Sequence, residues 1–194
     1  MGVFKPLLPF GDRTVIEACL QNLREAGAAE IVVVIGHRAE EMRARLGHLP
    51  VSFAVNNQAE SEMTASIARG VERVSGEAEA VLISLADQPA VSPEAIRSLM
   101  EARISSDARL FVPEWNNRGG HPVLIDLCYR RELLNLDPQK GLRALFDAHR
   151  GEVLRVPVDS PYIARDMDTW NEYCALHQEI FGDMPSLATP PRQS

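Results

Sequence analysis

The chain is short of positive charge. Its 20 Lys and Arg residues are outnumbered by 27 Asp and Glu residues, which gives a formal net charge of -7. Surfaces that bind nucleic acid or anionic membranes need clustered positive charge, so we expect neither partner. A small nucleotide ligand is not excluded, because a few local cations and backbone amides suffice to hold it.

Cysteine and long apolar runs are also scarce. The 3 cysteines, Cys19, Cys128 and Cys174, lie far apart without CxxC spacing, which argues against a disulfide framework and a zinc knuckle. No apolar run approaches the roughly 20 residues that span a bilayer. The N-terminus also lacks the charged and apolar regions of a signal peptide. We therefore expect reduced thiols in a cytoplasmic protein.

Strand and helix patterns alternate along most of the chain. Strands are predicted at 31–35, 51–55, 80–85, 110–113, 122–125 and 153–158, and helices at 15–27, 39–46, 62–74, 92–104, from 137–138 onward and at 168–181. This order predicts an α/β three-layer sandwich with a mostly parallel sheet, formed by one domain over residues 1–181. Residues 182–194 hold three prolines and no apolar periodicity, which is typical of a disordered tail.

Acidic residues follow two of the predicted strands. Ligands of open parallel sheets bind at the carboxyl ends of the strands. Mg²⁺ prefers one or two carboxylates together with phosphate oxygens and water. Asp87, which follows the strand at 80–85, is therefore a candidate metal ligand together with Asp168, or Asp166. An ordinary Asx turn at Asp87 and a helix N-cap at Asp168 are the alternative explanations.

Other polar residues have a functional and a structural interpretation. Lys5 could meet a triphosphate as a mobile point charge, or be a solvated surface lysine. His121, which follows Gly119-Gly120, lies where the backbone can approach a ligand closely, or belongs to a structural turn. Ser66 could point its hydroxyl at a bound base, or be an exposed helical serine. Three further histidines show no evident partner and are predicted at the surface: His48, His149 and His177.

Six segments, taken in order, resemble the MobA-like molybdenum-cofactor nucleotidyltransferases, a branch of the NTP-transferase domains related to sugar-nucleotide pyrophosphorylases. The segments are KPLLPFGDRTV from Lys5, IVVVIG from Ile31, Asn57 with Glu62-Met63 and Ser66, LADQP from Leu85, GHPV from Gly120, and DMDT from Asp166. The resemblance runs from Lys5 to about Leu176. It implies a Rossmann-like nucleotidyltransferase fold with Mg²⁺ as cofactor. The implied reaction is attack of a pterin phosphate on the α-phosphorus of an NTP, with release of pyrophosphate.

The resemblance also assigns roles to residues of the triphosphate site. Lys5 corresponds to the lysine that stabilises the transferring phosphates. Asp87 corresponds to the metal-binding aspartate, and Asp168 to the second acid of the late motif. Ser66 corresponds to a position that contacts the base.

Two further segments bear on the substrates. Gly120, His121 and Pro122 match the loop that is typical of the branch serving the pterin cofactor. Leu8 and Pro9 match the cytidylyltransferase version of the base-selecting segment, so CTP is favoured over GTP.

The chain departs from the family pattern at two places. The family has a strand and a glycine-rich phosphate loop just before the position of Met1, so we expect the functional start to lie upstream. Glu62 stands where the family usually has glycine, which places an acid near a polyanion site.

Two other functions stay open. One is a non-catalytic chaperone or insertion factor that binds the molybdenum cofactor and has a molybdoenzyme as its partner. The other is a sugar-1-phosphate nucleotidyltransferase, which fits the core motifs but not the Gly-His-Pro loop.

Overall fold

The computed structural model describes residues 4–57, 63–165 and 167–186, so Glu62 and Asp166 lie outside the described residues. The strands are β1 (Pro9–Phe10), β2 (Arg13–Thr14), β3 (Val32–Ile35), β4 (Ser52–Val55), β5 (Ala80–Ile83), β6 (Leu110–Trp115), β7 (Arg118–Gly119), β8 (Val123–Asp126) and β9 (Val153–Pro157). The α-helices are α1 (Val15–Ala26), α2 (Ala39–Leu46), α3 (Met63–Arg73), α4 (Pro93–Ser105), α5 (Arg130–Leu133), α6 (Leu142–Ala148) and α7 (Trp170–Phe181). Short 3₁₀ turns cover Lys5–Leu7, Leu127–Tyr129, Arg150–Glu152 and Pro161–Ala164.

Local sequence signals set the ends of the main helices. Thr14 and Glu17 form a capping box at the start of α1, and Gly27 ends that helix with a positive φ of 102°. Ser92 caps α4 with its side chain, and Pro93 occupies the first helical position. The alternation of these helices with strands confirms the predicted α/β class.

The predicted parallel arrangement is confirmed for β3 with β4 and for β5, β6 and β9, which share one direction, whereas β8 is reversed and makes the sheet mixed. β3 and β4 pair in parallel as one two-stranded sheet. The second sheet is larger and has five strands, in the order β5-β8-β6-β7, with β9 parallel to β6 on the other side of β6. β8 runs antiparallel to both β5 and β6. The physical reason is the hairpin at 114–122, which includes β7 and returns the chain beside β6, since a hairpin reverses strand direction.

Helices cover both faces of the second sheet, as a three-layer sandwich requires. Successive residues of β6 point to opposite faces. Leu110 packs with residues of α3, α5 and α6, whereas Phe111 packs with Leu99 of α4. All three of these side chains have 0% exposure. In the described ranges, no helix has the length and apolar character needed to cross a membrane.

The helix predicted to open at Asp137–Pro138 begins later, at Leu142. The Asp137 side chain accepts a hydrogen bond from the backbone N–H of Gln139 at 2.9 Å. Its carbonyl accepts one from the N–H of Gly141, also at 2.9 Å. An aspartate that bonds the backbone two residues ahead favours a turn over a helix, and this competition shortens α6.

Residues 182–186, at the start of the tail, make contacts with the end of α7. Gly182 ends α7 with a φ of 80°. His177, predicted at the surface, is buried, and its Nδ1 lies 2.9 Å from the carbonyl oxygen of Asp183. Pro185 is also buried. Residues 187–194 lie outside the described residues, and the disorder of the tail from residue 182 stays a prediction.

A cavity of about 680 Å³ separates β3 from β5. Among the described strands, β3 pairs with β4 alone and β5 with β8 alone, so one edge of each strand faces this cavity. Apolar residues of α1, α3 and α4 line its two sides. Met63 and Ile104 belong to this lining and are 55% and 83% exposed. Open strand edges beside apolar surface are suited to accept a further strand.

We predict that an extended apolar segment supplied to this cavity stabilises the fold. A short Val- and Ile-rich strand fused to the N-terminus should bury at least two more apolar side chains. That burial is worth about 3 kcal/mol and should raise Tm by roughly 6–12 °C in calorimetry. The matched control is the same segment with a central proline, which cannot complete the backbone ladder. Equal Tm values for the two fusions would contradict the prediction.

Candidate active site

Lys5, Asp87 and Asp168 lie together at one edge of the molecule. The Lys5 Nζ is 2.6 Å from Asp168 Oδ1 and 3.7 Å from Asp87 Oδ2. Asp87 lies in the turn after β5, and Asp168 lies just before α7. The structure therefore brings together three residues that the sequence analysis selected from distant parts of the chain.

The segment that carries Lys5 crosses the carboxyl ends of β3 and β5. The ring of Phe4 lies 6.5 Å from the ring of His37, which follows β3. The guanidinium of Arg38 lies 4.7 Å from the centre of the Phe4 ring, a cation–π contact. The next residue, Lys5, reaches Asp87 beyond β5. These contacts place the ammonium group at the strand ends, where ligands of α/β sheets bind.

Helix α7 fixes Asp168 relative to Lys5 because it packs on the N-terminal segment. The hydroxyl of Tyr173 donates a hydrogen bond to the carbonyl oxygen of Pro9 at 2.6 Å. Tyr173 is fully buried, and burial raises its pKa to about 12. The surrounding apolar cluster consists of Leu8, Phe10, Val15, Met167, Tyr173, Cys174 and Leu176. No motif in the sequence marks Tyr173, although a tyrosine on an amphipathic helix normally seeks a partner for its hydroxyl.

Thr169, and not Asp168, caps α7. The Thr169 side chain accepts a hydrogen bond from the N–H of Glu172, and Glu172 bonds back to the N–H of Thr169. The alternative that Asp168 is the helix N-cap is therefore wrong. Its carboxylate points to Lys5 instead.

The electrostatics of the cluster favour the charged forms of Lys5 and Asp168. Burial lowers the pKa of Lys5, but the hydrogen bond and charge of Asp168 and the charge of Asp87 outweigh it, so that pKa is raised. The hydrogen bond and charge of Lys5 lower the pKa of Asp168. The Lys5 side chain is 23% exposed, so the alternative of a freely solvated surface lysine is wrong.

The carboxylates of Asp87 and Asp168 fit a divalent cation. Both carboxylates lie within 3.7 Å of the Lys5 Nζ, so a single cation can contact the two of them. Two carboxylates suit Mg²⁺, which takes its other oxygens from phosphates and water. In the described ranges there is no group of three or more His, Cys, Asp or Glu side chains that could hold a metal by themselves. A metal at this point would therefore need oxygens from a ligand or from water.

Leu8 and Pro9, predicted in the base-selecting segment, lie beside this cluster. The Leu8 side chain is only 3% exposed and belongs to the core that holds α7. The Leu8 carbonyl oxygen accepts a hydrogen bond from the N–H of Val15 at 2.9 Å, and the Pro9 carbonyl oxygen accepts one from the Tyr173 hydroxyl. A direct side-chain contact between Leu8 and a base does not fit this burial.

Ser66 lies on α3 and lines the cavity between β3 and β5. Its hydroxyl oxygen accepts a hydrogen bond from Asn56 Nδ2 at 3.0 Å. Asn56 is 7% exposed. The alternative of an exposed, unengaged helical serine is therefore wrong, while a contact of Ser66 with a base stays a prediction.

The loop of Gly120, His121 and Pro122 is tied to the same edge of the sheet. The His121 N–H donates to the Ile163 carbonyl at 2.8 Å, and its Nδ1 lies 3.3 Å from the Ile83 carbonyl at the end of β5. A ring nitrogen facing a carbonyl must donate, which leaves Nε2 as the acceptor of a neutral ring. A Cβ on Gly120 would lie 2.0 Å from the Ile163 carbonyl oxygen, so this close approach requires glycine.

A second cavity, of about 770 Å³, opens beside this loop. Apolar side chains of the sheet and of α6 form part of it, including Val112, Val123, Val153, Leu142 and Phe146. Arg143, Arg150 and Arg155 also line it. Their carboxylate partners are Asp147, 3.6 Å from Arg143 and 2.7 Å from Arg150, and Glu114, 2.6 Å from Arg155. Three guanidinium groups thus share two carboxylates, and the cavity combines apolar surface with positive charge.

The environment of Cys19 disfavours its thiolate form. Cys19, Cys128 and Cys174 are all free. Cys19 lines the cavity between β3 and β5, and burial raises its pKa to about 12. A thiol is nucleophilic only as the thiolate, so this geometry does not support covalent chemistry at Cys19.

Comparison with known proteins gives one family over most of the chain. The model of the MobA-like NTP transferase domain matches residues 1–153. Nicotine blue oxidoreductase of Paenarthrobacter nicotinovorans is 33% identical over 128 residues, which cover 63% of this chain and 62% of that protein. The chain therefore spans less than two thirds of that relative.

Solved structures agree with this assignment. The structure of Rv0371c from Mycobacterium tuberculosis H37Rv aligns with a TM-score of 0.81 and 28% identity, over 92% of this chain and 90% of that one. A manganese complex of Rv0371c aligns with a TM-score of 0.77 and 28% identity over 90% and 91%. A nucleotidyl transferase from Methanothermobacter thermautotroptrophicus, Mth528, aligns with a TM-score of 0.77 and 27% identity over 91% and 85%.

Tyr173→Phe should destabilise the fold and loosen the site. Removing the hydroxyl leaves the Pro9 carbonyl without its partner, which costs about 1.5 kcal/mol and lowers Tm by roughly 3–6 °C. Tyr162→Phe is the matched control, because the Tyr162 hydroxyl bonds the exposed Glu179 carboxylate. Thermal unfolding of both variants measures the difference. A Tyr162→Phe loss as large as that of Tyr173→Phe would contradict the explanation.

The Lys5–Asp168 pair should stay ionised over a wide pH range. The pKa of Asp168 lies below its ordinary value of 3.8, so the pair is present above that value and is lost as the pH falls through the lowered pKa. The pKa of Lys5 lies above 10.5, so the pair is lost as the pH rises beyond it. NMR of lysine labelled with ¹³C at Cε should show a constant Lys5 signal between pH 5 and pH 9. A titration step inside that window would contradict the assignment.

Proposed function

This chain belongs to the MobA-like NTP transferase family, and on that premise we propose that it transfers CMP from CTP to a molybdopterin-type cofactor, with release of pyrophosphate. The family is of the nucleotidyltransferase type. The single observation that best supports a transfer reaction is the convergence of Lys5, Asp87 and Asp168 beside the His121 loop. The choice of CTP and of the pterin acceptor rests on the sequence resemblance.

In the proposed reaction, an oxygen of the acceptor phosphate forms a bond to the α-phosphorus of CTP. The bond from that phosphorus to the bridging oxygen breaks, and pyrophosphate leaves with the electron pair. Such transfers depend on positioning and charge neutralisation more than on covalent catalysis. This requirement suits a site whose functional side chains are a lysine and two aspartates.

The chain's own residues would divide these tasks. Asp87 and Asp168 would hold Mg²⁺, which when bound neutralises charge on the phosphates and the leaving group. Lys5 would place its ammonium against the transferring phosphates, as a mobile point charge. Leu8 would act indirectly, by holding the segment of Lys5 and Pro9 in place, and Ser66 would face the base.

The cavity beside Gly120 and His121 supports the proposal of a pterin-type acceptor. Its volume of about 770 Å³ is in the range of small-molecule sites. Phe146 and the valines of the sheet would contact a flat, apolar body. Arg150 and Arg155 would attract an anionic group. A phosphorylated heterocycle combines both properties.

A cytoplasmic location is part of the proposal. The free cysteines support it, since reduced thiols are typical of the cytoplasm.

A pyrophosphate-release assay with each of the four NTPs, Mg²⁺ and a molybdopterin acceptor tests the proposal. We expect release with CTP above GTP, and a loss of at least about 100-fold in Asp87→Asn, which removes a charged metal ligand. Asp12→Asn is the matched control, because Asp12 is exposed and pairs with Arg13. Calorimetry with CTP-Mg²⁺ accompanies the assay. Tight pterin binding without CTP binding would overturn the enzyme and favour the cofactor-binding chaperone.

A further inference from the structure

The Lys5 ammonium contacts both carboxylates of the proposed metal site, those of Asp87 and Asp168. The Lys5 Nζ donates a hydrogen bond to Asp168 Oδ1 at 2.6 Å and lies 3.7 Å from Asp87 Oδ2. The two partners come from different elements, so the ammonium bridges the turn after β5 and the start of α7. A metal that binds both carboxylates would need the same position.

The ammonium and a divalent ion cannot share that position. Mg²⁺ binds carboxylate oxygens at about 2.0–2.1 Å, and the ammonium now lies at hydrogen-bond distance from one of those oxygens. Their like charges would repel strongly at such separations. Metal binding to both Asp87 and Asp168 therefore requires Lys5 to leave.

The Lys5 side chain can move while its backbone stays fixed. The Lys5 carbonyl accepts the N–H of Leu8 at 3.0 Å, and the Leu8 side chain is anchored in the core. The lysine side chain is a flexible four-carbon stem that carries a compact charge. Released from the carboxylates, the ammonium would seek the nearest anion, which under the proposed function is the triphosphate.

We propose that Lys5 couples the binding of metal and nucleotide by exchanging partners: the free protein keeps it on Asp87 and Asp168, and the nucleotide draws it away and vacates the metal site. This inference rests on the proposed function for the identity of the anion. It does not need the reaction itself, because the exchange is a property of binding.

The exchange predicts that metal and nucleotide each raise the affinity of the protein for the other. If the nucleotide removes a competing cation, it raises metal affinity, and the metal raises nucleotide affinity by the same factor. Loss of Lys5 should therefore strengthen metal binding to the free protein and weaken the coupling between the two ligands. An ion pair of this partly exposed kind corresponds to roughly a three-fold change in affinity.

Mn²⁺ titrations followed by electron paramagnetic resonance test the coupling in the full chain. The variants are Lys5→Gln and Lys140→Gln, which between them change the two lysines of the sequence. Without nucleotide, we expect Lys5→Gln to bind Mn²⁺ about three-fold more tightly than the wild type, and Lys140→Gln to match the wild type. With saturating CTP, the wild type should gain more affinity than Lys5→Gln. Unchanged or weaker Mn²⁺ binding by free Lys5→Gln would overturn the proposal.

NMR of the wild-type protein tests the exchange even if the variant folds poorly. With lysine labelled at ¹³Cε and ¹⁵Nζ, only Lys5 and Lys140 give signals. Saturating Mg²⁺ alone should shift the Lys5 signal and leave Lys140 in place, and CTP should move the Lys5 signal again. A Lys5 signal that does not respond to Mg²⁺, or the absence of metal binding, would overturn the exchange.

The failure of this inference can be told apart from failure of the proposed function. CTP binding with pyrophosphate release but no Lys5 response to Mg²⁺ would leave the function standing and reject the exchange. Displacement of Lys5 by Mg²⁺ without any CTP binding would support the competition between Lys5 and the metal for the carboxylates. The same result would reject the proposed function and the role of the nucleotide in the coupling.

Discussion

The packing of α7 on the N-terminal segment is the constraint on which the candidate site depends. Tyr173 is buried in this contact and bonds the Pro9 carbonyl at 2.6 Å, while Leu8 and Met167 pack around it. Lys5 lies just before this contact in the N-terminal segment, and Asp168 lies just before it at the start of α7. Because both residues lie close to this fixed contact, the distance between their charged groups can vary little. The pair forms across a separation of 163 residues.

Lys5 offsets the repulsion between the carboxylates of Asp87 and Asp168. Two carboxylates at one point repel each other unless a cation lies between them, and the chain supplies that cation from its own N-terminal segment. Under the proposed function, a divalent ion would replace the ammonium at these carboxylates. Lys5 is one of only two lysines in the sequence.

The mixed sheets explain how the site is joined to a second cavity. β8 lies between β5 and β6, so the hairpin that precedes it places His121 beside the end of β5. Asp87 follows that same strand. If β8 ran parallel to β5, the Gly-His-Pro loop that precedes it would lie at the opposite end of β5 from Asp87. The antiparallel insertion therefore links the carboxylate cluster to the cavity lined by arginines.

The sequence by itself determined the α/β class, the main helices and the family, because apolar periodicity, caps at Thr14 and Ser92 and ordered motifs are local signals. It also selected Lys5, Asp87 and Asp168, since residue type and position after strands restrict the choice. It could not determine strand direction at β8, the start of α6 or the burial of Leu8 and His177, because these depend on which surfaces meet. The tertiary structure alone decided that Lys5 bridges both aspartates, since the ion pair forms only after α7 has packed against the N-terminal segment.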